Sequence, residues 1–123
     1  MTMTDTKLIA EFEAILDKSY LYACKKVLLI EENMQFEKLN YDKEISEFIV
    51  EFINSWSSYG NKIKEQLPEN TFKDEVLVEL DKEVKIEITA MIKKCNQELP
   101  THFPRIKRRL ARKLTQKVKE FLP

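Results

Sequence analysis

Residues 45–56 read Ile45-Ser46-Glu47-Phe48-Ile49-Val50-Glu51-Phe52-Ile53-Asn54-Ser55-Trp56. The apolar side chains Ile45, Phe48, Ile49, Phe52, Ile53 and Trp56 are separated by steps of one, three and four residues, which places them on one face of a helix with 3.6 residues per turn and leaves Glu47, Glu51 and Asn54 elsewhere. A half-buried strand would alternate instead, and this stretch does not. The phase persists through Tyr59 and Ile63 to Leu67, so the pattern predicts a helix over residues 41–67, opened by Asn40 or Asp42 as N-cap and stopped by Pro68. Gly60-Asn61 is a turn signal inside that run, and Gly in a helix interior costs about 1 kcal/mol relative to Ala. The unbroken phase favours one helix with a weak point there.

The same reading extends in both directions. Leu8, Ile9, Phe12, Ile15, Leu16, Tyr20, Ala23, Val27 and Ile30 predict a helix over residues 6–33, and Leu21, Cys24, Leu28 and Leu29 widen its apolar face toward the end. Leu77, Leu80, Val84, Ile88, Met91, Ile92 and Cys95 predict a third helix over residues 72–97, with Thr71 and Asp74 resembling a capping box. A loop, Thr101-His102-Phe103, leads to Pro104 at the favoured first position of a fourth helix over residues 104–122, whose stripe is Ile106, Leu110, Leu114, Val118 and Phe121. Short connections make consecutive helices antiparallel neighbours. The expectation is therefore an all-α, single-domain four-helix up-down-up-down bundle spanning residues 1–123.

Composition agrees. A chain of 123 residues with 43% hydrophobic and 34% charged residues is too apolar for disorder. At this length one core is sufficient without staples. The longest run without Asp, Glu, Lys or Arg, residues 52–61, is about half of the roughly 20 residues needed to cross a bilayer, so no transmembrane segment is expected. The single glycine, Gly60, excludes phosphate-cradling and dinucleotide-binding loops. Residues 1–7 lack the basic start and apolar core of a secretory signal, and a cytoplasmic location is expected. Cys24 and Cys95 are far apart in sequence and read as buried thiols.

Catalytic chemistry finds little material. His102 is the only histidine, and no glutamate lies three residues before it, so a di-iron carboxylate site is excluded and no metal or cofactor is expected. Glu75, Glu79, Glu83 and Glu87 recur every four residues and Glu44, Glu47 and Glu51 line an edge of the second helix; both sets read as solvated faces. Phe48, Phe52, Trp56, Tyr59, Tyr20 and Tyr22 read as core, with an aromatic-lined ligand pocket as the sharper alternative. Trp56 stands among Asn54, Ser55, Ser57 and Ser58, neighbours small enough to leave its indole edge accessible as an interface anchor.

The distinctive feature is charge. Lys plus Arg and Asp plus Glu both number 21, yet residues 100–123 hold eight basic side chains against Glu120 alone. Arg105, Lys107 and Arg108 would stand at the positive end of their own helix, an unfavourable position that a nearby anion offsets. The acidic stripes of the second and third helices, an acidic protein partner, or nucleic acid would each supply one. The reading taken is a non-enzymatic interaction protein, an adaptor or regulatory subunit, that binds another protein through Arg105, Arg108, Arg109, Arg112, Lys113, Lys119 and Trp56. Nucleic-acid binding through the same helix is the alternative, disfavoured by the net charge of zero. An enzyme or small-ligand binder ranks third, and an anionic membrane surface is not expected.

Overall fold

The face spelled by Ile45, Phe48, Ile49, Phe52 and Trp56 is buried, as its spacing requires. The computed structural model describes residues 3–27, 41–95 and 99–121, and all regular structure among them is α-helix. The elements are α1 (Met3–Lys26), α2 (Tyr41–Tyr59), α3 (Asn61–Gln66), α4 (Lys73–Cys95) and α5 (Leu99–Glu120). Helix α1 packs against α2 and α5, and α4 packs against the same two.

Aromatic pairs fix the relative directions. Phe12 with Trp56 and Tyr20 with Phe48 form T-shaped pairs, each with ring centroids 5.7 Å apart, so residues late in α1 face residues early in α2. Tyr20 stacks on Phe103 at 4.2 Å while Asp17 pairs with Lys107, so α5 also runs against α1. Glu83 with Lys113 and Glu87 with Arg109 set α4 and α5 in opposite directions. Phe52 and Phe103 meet at 6.1 Å between α2 and α5, whose backbones do not themselves approach, so these two rings fill the middle of the core.

Several boundaries differ from the sequence expectation. The described part of α1 begins at Met3, and the expected continuation over residues 28–33 lies outside the described residues. The expected helix over 41–67 is interrupted at Gly60, although Gly60 keeps helical dihedrals (φ −58°, ψ −30°) and its N–H donates to the Trp56 carbonyl at 2.7 Å. A tightened bond from the Ile63 N–H to the Gly60 carbonyl follows, and the phase survives: Ile63 and Leu67 are buried. Close packing explains why this position is glycine. A Cβ there would stand 2.8 Å from the Trp56 carbonyl oxygen and 3.3 Å from two indole carbons.

The capping box does not form. The Thr71 hydroxyl donates to the Pro68 carbonyl at 2.6 Å and closes the preceding turn, and α4 starts at Lys73. The largest correction concerns α5, whose described part begins at Leu99 and includes Pro104 in its interior. Proline this close to a helix start removes a single backbone bond, and burial of Leu99 and Phe103 holds the turn that precedes it. His102 is consequently a half-buried helical residue and not part of a loop. At the other end, the Phe72 N–H donates to the Phe121 carbonyl at 3.1 Å and ties the end of α5 to the start of α4.

Candidate functional site

Helix α5 is built to be held on one side. Leu99, Phe103, Ile106, Leu110, Ala111, Leu114 and Val118 are buried, so its remaining arc is divided between two flanks and one outward strip. At 3.6 residues per turn, Arg105, Arg108, Arg112, Thr115 and Lys119 fall within about 80° of arc, opposite the buried face. Arg105, Arg108, Arg112 and Lys119 are exposed, and among the described residues none of them forms an ion pair. Lys107 leans to the α1 flank, where its ammonium donates to Asp17 at 3.0 and 3.2 Å.

The α4 flank is different in kind. The Lys113 ammonium donates to Glu83 at 2.6 Å and to Glu87 at 3.3 Å, and Arg109 Nε stands 2.8 Å from Glu87 Oε1. The Glu87 side chain is only 7% exposed. The hydrogen bond that Lys113 donates to Glu83 holds the Glu83 carboxyl below its ordinary pKa, and the same bond raises that of Lys113. Arg109 and Lys113 thus act within the protein, as bridges across the α4–α5 seam. The expected solvated stripe of glutamates accordingly splits: Glu75 is exposed, while Glu83 is half-buried and Glu87 buried beneath α5.

Trp56 does not present an accessible edge. It is 1% exposed, its indole N–H donates to Asp81 Oδ1 at 2.8 Å, Phe12 packs on it at right angles, and Gly60 lies close against the ring. Of its small neighbours, Asn54, Ser57 and Ser58 are exposed and Ser55 is buried, so their size does not decide the exposure of the indole. Tyr20 packs on Phe48 and Phe103, and Phe52 on the same two rings, as core, while Tyr22 is exposed. Cys24 is buried, and the Cys95 side chain lies outside the described residues. The dipole argument for an external anion also falls away, because a helix already formed at Leu99 puts Arg105 beyond the first turn, where the terminal field has decayed.

Sequence reading missed one feature near the strip. At its carboxyl-terminal end a cleft of about 240 Å³ lies between α1, the turn before α4, and α5, walled by Ile9, Pro68, Asn70, Thr115, Val118 and Lys119. No single stretch of sequence could reveal it, since its walls come from three separate segments. Among the described residues no helix is long and apolar enough to cross a membrane, and no three His, Cys, Asp or Glu side chains are grouped to hold a metal ion. No protein-family model, no curated protein and no solved structure matches this chain.

Proposed function

We propose that this protein is a non-enzymatic interaction protein, an adaptor or regulatory subunit, that binds an acidic surface of another protein along the outward strip of α5. In this reading the chain is one domain, a four-helix up-down-up-down bundle in which α2 and α3 together form a single arm. The observation that carries the proposal is the strip itself: Arg105, Arg108 and Arg112 are exposed without an ion pair among the described residues, on a helix whose opposite face is fully committed to the core. Like charges three and four residues apart repel by a few tenths of a kcal/mol per pair, and a bound carboxylate surface relieves that repulsion. Buried neighbours fix the strip's orientation, so binding does not have to order the helix first.

The test is the triple variant Arg105→Glu, Arg108→Glu, Arg112→Glu, titrated alongside wild type with a fluorescein-labelled glutamate-rich peptide and with a duplex DNA of mixed sequence. Folding stability should change by less than about 1 kcal/mol, because these side chains are exposed. Wild type should bind the peptide, and the variant should not. Equal binding by both proteins, or by neither, refutes the assignment. Duplex DNA that binds wild type with affinity falling about 0.9 log units per log unit of salt for each phosphate contacted would transfer the strip to nucleic acid instead.

A further inference from the structure

The strip does not end in solvent. Thr115 and Lys119 lie on the same line of α5 as Arg108 and Arg112, and both also wall the cleft formed with Ile9, Pro68 and Val118. A row of cations therefore runs directly into an apolar recess. The cleft's volume of about 240 Å³ is below the roughly 300–1,000 Å³ of sites that enclose a drug-sized molecule, so its scale is that of one side chain. Its floor is apolar: Val118 is buried and Ile9 is half-buried against the core. Lys119 stands at the rim, exposed and without an ion pair among the described residues.

From this juxtaposition we propose that the partner segment recognised by α5 is an acidic peptide carrying one bulky aliphatic residue, its carboxylates facing Arg105, Arg108 and Arg112 and its aliphatic side chain seated in the Ile9–Pro68–Val118 cleft beside Lys119. The inference rests on the proposed role of the strip and adds the class of ligand. Charge alone selects poorly among acidic surfaces, since exposed ion pairs are individually weak and screened by salt. An aliphatic anchor placed in a preformed recess supplies selectivity that salt does not erase. The spacing is also set. Seven residues of helix separate Arg112 from Lys119, a rise of about 10 Å, which an extended peptide spans in about three residues.

The probes are three fluorescein-labelled peptides: one glutamate-rich with a leucine three residues after its last glutamate, the same with alanine for leucine, and the leucine peptide with glutamine for every glutamate. Each is titrated by fluorescence anisotropy into wild type, into Thr115→Phe, and into Asn70→Trp, the last two filling the cleft from different segments of its wall. Circular dichroism identifies whichever filled variant is folded. Wild type should bind the leucine peptide about tenfold more tightly than the alanine peptide, as expected for partial burial of an aliphatic side chain. The folded filled variants should bind both about equally, and the glutamine peptide should not bind. Glutamate-rich peptides that bind wild type with no preference for leucine, or a preference that survives in the filled variants, overturn the cleft's role and leave the strip's intact. Failure of both glutamate-rich peptides to bind wild type overturns the strip and the cleft together.

Discussion

Replacing Lys113 with methionine removes an ammonium from the α4–α5 seam while keeping a long apolar stem in its place. In the wild-type protein that ammonium donates to Glu83 at 2.6 Å and to Glu87 at 3.3 Å. A hydrogen bond to a charged group contributes about 1.5–3 kcal/mol when well shielded. Here the second bond is long, and the Lys113 and Glu83 side chains are 29% and 25% exposed, so solvent screening reduces the sum. Against this, the loss strands the Glu87 carboxylate, 7% exposed, with Arg109 alone. The balance is a loss of about 2 kcal/mol at neutral pH, or a Tm lower by roughly 6–10 °C for a domain of this size. Urea unfolding followed by the fluorescence of Trp56, the chain's only tryptophan and a buried one, measures it.

The pH dependence makes that prediction sharper. Glu83 has a lowered pKa through its bond to Lys113, so its contribution is complete above the unfolded carboxylate value of about 4.3 and is lost as pH falls through the folded value. Lys113 has a raised pKa through its bond to Glu83, so its contribution is complete below the unfolded ammonium value of about 10.4 and is lost as pH rises through the folded one. The gap between wild type and Lys113→Met should therefore be flat from about pH 5 to pH 10 and close on either side. A gap below about 0.5 kcal/mol at pH 7, or one that is undiminished at pH 3, would mean that the seam does not depend on this bridge.

Two further substitutions probe the core. Phe52→Ala should cost about 3–5 kcal/mol in urea unfolding, because Phe52 is 0% exposed and meets Phe103 at the centre; a loss under about 1 kcal/mol would refute that placement. Gly60→Ala should lower the Tm even though alanine favours helix by about 1 kcal/mol, since its Cβ would stand 2.8 Å from the Trp56 carbonyl oxygen, an overpacking that costs about 1–3 kcal/mol; a higher Tm would show that the backbone relaxes there without penalty.

Helix existence was legible because apolar spacing reports the one face a helix must bury. The residues Ile45, Phe48, Phe52, Ile63 and Leu67 were assigned to the interior from sequence and are buried. The start of α5 was misread because Pro104 is a strong local signal, and burial of Leu99 and Phe103 by other helices overrides it. Trp56 departs from expectation for a related reason: small polar neighbours in sequence do not report which residues from other helices cover a side chain. Asp81, 25 residues away, takes the indole N–H.

By itself the sequence determined the helical class, the apolar faces and the concentration of positive charge in residues 100–123, since each follows from local periodicity or from counting. Tertiary structure alone decided what those charges do. Arg109 and Lys113 follow Arg108 and Arg112, respectively, by one residue, about 100° of turn on the same helix, yet the first pair reaches Glu83 and Glu87 and the second faces outward. That division depends on which helix lies beside α5 and in which direction it runs, and charge interactions fall off too steeply through water to be assigned before the neighbour is known.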